Sequence, residues 1–189
     1  MEDSSDDQEL LRRMAEGDEA AFGALYSRYR RRIFRFAWHM SENNAMAEEI
    51  TQEVFMHFIK NPKGYDPAKG PLPAYMYGVT RNLVRNTLRR SPHELSITDE
   101  MLEVHEEEFT DRYDVLAELT RTELLECLRK SILALPEQYR EVLVLRDLEQ
   151  VGHRETAELL QCSLGTVASR LHRARTLLRM RLREIGCAK

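Results

Sequence analysis

An all-α protein of two small domains is what this sequence predicts, on three observations. Apolar residues recur at spacings of three and four along most of the chain, the period of a helix with one buried face. No run shows the strict alternation, or the Asn-Gly and Asp-Gly turns, of a sheet. A stretch from His93 to Leu119 carries ten carboxylates against the single Arg112 and divides the helical pattern into two blocks.

The first block runs over residues 5–92 and reads as four helices. One passes through QELLRRMAEG, a second through DEAAFGALYSRYRRRIFRFAWHM and a third through NAMAEEITQEVFMHFIK. Asp18, three residues before Ala21, and Asn44, three before Ala47, can accept the free amides at the starts of the second and third. NPKGYDPAKGPLP, from Asn61 to Pro73, holds four prolines and two glycines, which fix φ or remove amide donors and force a loop. Pro73 suits the first residue of a fourth helix, PAYMYGVTRNLVRNTLRR, where its missing N–H is not needed.

Residues 93–118 have too many like charges for their scattered apolar residues to pack, and are expected to form a flexible acidic linker. The second block, residues 119–186, again reads as four helices: LTRTELLECLRKSILAL, then PEQYREVLVLRDLEQ opened by Pro136, then HRETAELLQ, then SLGTVASRLHRARTLLRMRLREIG closed by Gly186.

Composition excludes several functions. The apolar runs are far shorter than the roughly 20 residues that span a bilayer. The N-terminal MEDSSDDQE is acidic where a secretory signal is basic and then apolar, so a cytoplasmic protein with no membrane insertion is expected. Cys127, Cys162 and Cys187 form no CxxC pair and are expected to be ordinary thiols. No phosphate-binding glycine loop, nucleophile elbow or metal-spaced histidine pair occurs, so no catalytic residue, metal or cofactor is expected.

Charge is informative by position, since the formal net charge of −4 conceals opposed blocks. Arg28, Arg30, Arg31 and Arg32 form one basic cluster; Arg81, Arg85, Arg89 and Arg90 form a second. The third lies in the last helix, where six arginines precede the first acid, Glu184. Leu164, Val167, Leu171, Ala174 and Leu178 share the packed face of that helix, which leaves Thr166, Ser169, Arg170, His172, Arg173 and Thr176 facing outward. A short helix with Ala157, Leu159 and Leu160 precedes it across the turn Gln161-Cys162-Ser163. Two helices so joined, the second carrying small polar and then basic residues outward, make a helix-turn-helix that lays its second helix in a major groove. There arginine pairs with guanine or phosphate, and serine and threonine reach base edges or phosphates.

GTVASRLHRAR closely resembles the end of region four in the extracytoplasmic-function (ECF) group of bacterial RNA polymerase sigma factors, and LPEQYREVLVLRDLEQ resembles the helices before it. AEEITQEVFMHFIKN and YDPAKGPLPAYMYGVTRNLVRNTLRR resemble region two of the same group. The resemblance covers both blocks in the right order. It implies a protein without enzyme activity that binds core RNA polymerase, directs it to promoters and helps open the −10 region. Residues 5–92 would be region two, 93–118 the linker and 119–186 region four.

Site residues follow from the same resemblance. Glu49, Gln52, Glu53 and Met56 would dock on the clamp helices of the polymerase β′ subunit, with the β subunit as a further contact. Tyr65, Asp66 and Lys69 of the loop, with Tyr75, Tyr77, Asn82, Arg85 and Asn86 of the following helix, would bind the downstream (−10) promoter element. Aromatic faces there stack on unpaired bases, while the amides and guanidinium bond base edges and phosphates. Core packing is the rival role for the two tyrosines of the helix. Thr166, Ala168, Ser169, Arg170, His172 and Arg173 would bind the upstream (−35) element, with Arg175 left for phosphate or an intradomain contact. An anti-sigma factor is implied as a further partner.

Departures from the usual pattern bear on stability and promoter preference. Ala168 stands where a basic residue is common, Thr156 where the core is usually apolar, and Gln161 where the turn usually has glycine. Gly78 lies inside a helix, at a cost on the order of 1 kcal/mol relative to alanine. Two other readings weigh against the first. A free-standing helix-turn-helix regulator would need a dimer seam and has no use for an aromatic and asparagine helix suited to unpaired DNA. A nucleic-acid-processing enzyme would need carboxylates or histidines at metal spacing, which the sequence lacks.

Overall fold

The computed structural model describes residues 2–41, 43–90 and 115–184. Among these it contains eight α-helices, a 3-10 turn and a π-helical turn, and no strand. The first four helices are α1 (Glu2–Ala15), α2 (Glu19–Met40), α3 (Asn44–Lys60) and α4 (Leu72–Arg90); the last four are α5 (Val115–Leu133), α6 (Glu137–Leu143), α7 (His153–Leu159) and α8 (Leu164–Glu184).

Local chemistry sets most boundaries. Asp18 caps α2, its Oδ1 accepting from the amides of Ala20 at 2.9 Å and Ala21 at 3.2 Å. The α3 cap is Asn43 rather than the expected Asn44; its Oδ1 accepts from the Met46 amide at 2.7 Å. Pro73 falls at the second residue of α4, one later than expected, still within the first turn where no amide donor is required. The segment PEQYREVLVLRDLEQ is α-helical only to Leu143 and continues as a π-helical turn over Val144–Leu148. Of the expected linker, 91–114 lies outside the described residues, and α5 begins at Val115, before the Leu119 start read from the sequence. Gly186, the expected cap of α8, also lies outside them.

Helices α1 to α4 bury Leu25, Ile33, Phe36, Met40, Ile50, Val54, Phe58, Leu72, Met76 and Val84 in a common core. At about 1.5–3 kcal/mol for each large side chain removed from water, this face decides the packing. The acidic N-terminus has a structural use too: buried Asp7 accepts from Arg28 Nη1 at 2.7 Å and from the Tyr29 hydroxyl, and Asp6 also pairs with Arg28. Helices α5 to α8 close around Ile132, Leu135, Val142, Leu145, Val167, Leu171 and Ala174. Thr156 is fully buried at its unusually polar position and satisfies its hydroxyl by donating to the Gly152 carbonyl at 2.8 Å. The two sets of helices pack on each other, α4 against α7, and α2 against α5 and the π-helical turn.

Cys162 is a free, half-buried thiol, whereas Cys127 on α5 is disulfide-bonded, which the cysteine spacing did not suggest.

Candidate nucleic-acid interface

Three surfaces collect the residues singled out by sequence. On α3, Glu49, Gln52, Glu53 and Met56 are all exposed, and their spacing of three and four aligns them on one helical face. Ile59 extends the stripe by one further step of three; like Met56 it is 46% exposed. The sequence reading missed Ile59, although its position three after Met56 was the available signal. The result is an acidic helix face ending in two uncovered apolar side chains, suited to a partner with cations and an apolar groove.

The second surface is the loop before α4 and the outer side of that helix. Asp66 caps the 3-10 turn Pro67–Lys69, its Oδ1 accepting from the Ala68 amide at 3.0 Å, and Lys69 lies 3.7 Å from its carboxylate. The Tyr65 hydroxyl donates to the Gly70 carbonyl at 2.9 Å, which closes the loop on itself. Its ring lies 5.7 Å from that of Tyr75, which in turn stands edge-on to Phe58 at 5.6 Å. Partial burial raises the Tyr65 phenol above its ordinary pKa. Both tyrosines are half-buried and leave an aromatic edge beside the exposed Asp66 and Lys69. Asn82 and Asn86, one helical step apart, are exposed and Arg85 is half-buried.

Tyr77 corrects the expectation of a second base-stacking tyrosine on α4. It is 1% exposed, packs against Phe36 at 5.2 Å and donates its hydroxyl to Glu149 Oε2 at 2.8 Å. Burial, then the neighbouring Glu149 carboxylate, pushes its phenol well above the ordinary value. Core packing, the rival role, holds for this tyrosine.

On α8, Val167, Leu171 and Ala174 are buried as expected, but Leu164 is 52% exposed. Leu164 is the first residue of the helix, and α7 ends before it can cover that turn. Ala168, Ser169, His172 and Arg173 are exposed, with Thr166 and Arg170 half-buried beside them. Ser163 caps the helix, its Oγ accepting from the Thr166 amide at 3.1 Å and sharing a 2.8 Å hydrogen bond with the Thr166 hydroxyl. That bond competes with any DNA contact by Thr166. Arg175 makes an intradomain contact: Nε and Nη2 donate to Asp147 at 2.8 and 2.6 Å, and the pairing raises its pKa. The turn into α8 places Gln161 at φ 52°, the left-handed conformation in which glycine is usual.

A fourth set of contacts was invisible in the sequence, because its partners lie 52 to 114 positions apart. Glu149 has a fully buried side chain and accepts from Arg35 Nε at 2.7 Å and Nη2 at 2.8 Å, as well as from Tyr77. Glu141 accepts from Arg81 Nε at 2.5 Å and Nη2 at 3.1 Å, and Glu137 pairs with Arg85 at 2.9 Å. Beside them the Arg129 guanidinium lies 4.4 Å from the centroid of the Trp38 ring, and Arg140 Nη1 donates to the Met40 carbonyl at 3.4 Å.

Comparison with known proteins agrees with this architecture. Residues 25–92 match the family model "Sigma-70 region 2" and residues 125–178 match "Sigma-70, region 4", which together define a sigma-type promoter-specificity subunit. The chain is 28% identical over 182 residues to the ECF RNA polymerase sigma factor SigW of Bacillus subtilis, covering 93% of this chain and 96% of that one. It is 30% identical over 176 residues to the RNA polymerase sigma-H factor of Pseudomonas aeruginosa, covering 89% and 90%. The fold is that of the sigma factor RpoE of Bartonella quintana, solved with the anti-sigma factor NepR, at a TM-score of 0.66 and 21% identity, over 86% of this chain and 96% of the other. The chain belongs to the ECF group of RNA polymerase sigma factors.

Proposed function

We propose that the chain works as a two-handed promoter reader, with residues 5–92 acting as region two, 93–118 as the linker and 119–186 as region four. Core RNA polymerase docks on the α3 face of Glu49, Gln52, Glu53, Met56 and Ile59, through the β′ clamp helices, with the β subunit as a second contact. Tyr65, Asp66, Lys69 and Tyr75 hold an unpaired base of the −10 element, while Asn82, Arg85 and Asn86 bond the exposed strand and help keep it open. Thr166, Ala168, Ser169, Arg170, His172 and Arg173 read the −35 element in duplex form. The protein acts in the cytoplasm, has no catalytic step of its own and is held by an anti-sigma factor until released. No helix among the described residues is long and apolar enough to cross a membrane.

The observation that carries this reading is the pairing of an exposed acidic and apolar α3 stripe with a separate, outward-facing α8 surface of small polar groups and cations. One serves a protein partner, the other a nucleic acid. Purified protein mixed with core polymerase is expected to yield transcripts from defined sites in a library of promoter fragments. Gln52→Ala with Glu53→Ala is expected to abolish association with the core, and Arg173→Ala to abolish initiation while sparing association. Tight sequence-specific duplex binding by the protein alone, with no affinity for the core, would replace this reading with a free-standing regulator.

A further inference from the structure

The contacts between the two halves of the molecule carry a consequence for regulation. Among the described residues, the Glu149 carboxylate takes every side-chain hydrogen bond from the first four helices and none from its own. A buried carboxylate with that partner set is built for contact across the interface, since parting would leave it without any of them. Glu141, likewise buried, faces Arg81, and Glu137 faces Arg85. Three carboxylates of the second half therefore sit along a strip formed by Arg35 of α2 and Tyr77, Arg81 and Arg85 of α4. That strip lies on the helix whose outer side carries Asn82 and Asn86.

We propose that Glu137, Glu141 and Glu149 form an internal latch that occupies this basic strip in place of DNA phosphates and keeps the free protein closed. The proposal rests on the assignment of α4 to the promoter. Carboxylates satisfy guanidinium groups with the same paired geometry that phosphates use, so the two compete for the same cations. While Glu137 holds Arg85, that residue is withheld from the downstream strand. The outward residues of α8 stay exposed, as do Asn82 and Asn86, so the latch withholds the arginines of the melting surface and spares the duplex-reading one. Opening exchanges these carboxylates for phosphates and frees α6 and the π-helical turn to move away with the second half.

Small-angle X-ray scattering on the full chain tests the latch without reference to polymerase. The closed wild type should show a radius of gyration of about 16 Å, that of one body of 189 residues. Glu141→Gln with Glu149→Gln should raise it by on the order of one third as two separate bodies form, and Arg81→Glu should do the same. Combining Arg81→Glu with Glu141→Arg restores the pair in reverse and should return the smaller value, an outcome that mere unfolding cannot give. A wild type already extended at low salt, or variants that scatter like the wild type, would overturn the latch. A single-stranded oligonucleotide carrying a −10 sequence selected in the transcription assay is the probe for what the latch covers. Its affinity for the doubly substituted protein should rise roughly tenfold or more if the open state is a tenth of the population or less. Opening without any gain in affinity would overturn the claim that DNA is the displaced ligand. Loss of promoter-directed transcription, by contrast, faults the function proposed above and leaves the scattering result standing.

Discussion

Gln161 adopts φ 52° in the turn before α8, and its amide donates to the Glu158 carbonyl at 3.1 Å. Left-handed backbone costs a residue with a Cβ about 1–2 kcal/mol, and most of all a β-branched one. Gln161→Gly removes that strain but adds about 0.4–1 kcal/mol of unfolded-state entropy, so the net gain lies between about 0 and 1.6 kcal/mol. Gln161→Val adds strain with no compensation. Melting temperatures should therefore rank glycine at or above glutamine and both above valine; a valine variant as stable as the wild type would contradict the strain. His39 gives a prediction in pH. Its ring lies tilted at 59° to that of Trp38 with centroids 5.1 Å apart, and its buried Nδ1 has no hydrogen-bond partner among the described residues. Burial above all, with Arg129 and Arg35 adding to it and Glu149 opposing, holds its pKa down to about 4. Between that value and the unfolded value near 6.5, the unfolded chain binds a proton that the folded chain does not. Stability from this group is thus complete above pH 6.5 and is lost as pH falls towards 4, by up to on the order of 3 kcal/mol. His39→Phe keeps the ring without the titration, so the fall in urea midpoint between about pH 7 and pH 5 should be shallower in the variant.

Helix α4 combines the closest approach to DNA in the proposed function with a glycine in its middle. A Cβ built at Gly78 meets nothing within 4 Å, and its φ is not in the left-handed region. Gly78→Ala should accordingly stabilise the protein by about 1 kcal/mol, seen as a rise of roughly 2–4 °C in melting temperature. No rise would mean that α4 draws on glycine's freedom in some other way. The helices themselves were legible in the sequence, because apolar spacing and loop chemistry both act locally. Asp18 and the proline cluster from Asn61 to Pro73 needed only their near neighbours. Asn43 and Asn44 are both able to cap, and only the start of the helix at Asn44 decides between them. Tyr75 and Tyr77 lie two residues apart, about 200° around the helix, so they had to face different surroundings. Which of the two turns inward was settled by Phe36 on another helix, a contact that α4 alone cannot announce. The outward residues of α8 were legible for the opposite reason, since Val167, Leu171 and Ala174 mark the buried face by period alone.

In the whole molecule, the contacts that join the halves were the part that sequence could not reveal. Arg35 with Glu149 and Arg81 with Glu141 leave no periodic trace, and Arg81 reads locally as one more member of a basic cluster. Their energetic weight is uneven. Arg85 is half-buried but Glu137 is exposed to solvent, and their pairing is worth at most about 1 kcal/mol. Glu149 and Glu141 are buried, so removing a partner strands a charge and costs several times more, on the order of 3–5 kcal/mol where burial is complete. Each half on its own has a small core, which gives the interface a large share in overall stability. The wild type should therefore unfold at low salt in one calorimetric transition, with calorimetric and van't Hoff enthalpies in agreement. Raising the salt to about 1 M, where the Debye length is about 3 Å, should weaken the exposed pair while leaving the transition single, because the buried carboxylates are screened far less. Neutralising Glu141 and Glu149 together should divide the transition in two, one for each set of four helices. Two transitions in the unmodified protein at low salt would mean that the halves are energetically independent and that the buried carboxylates do not join them.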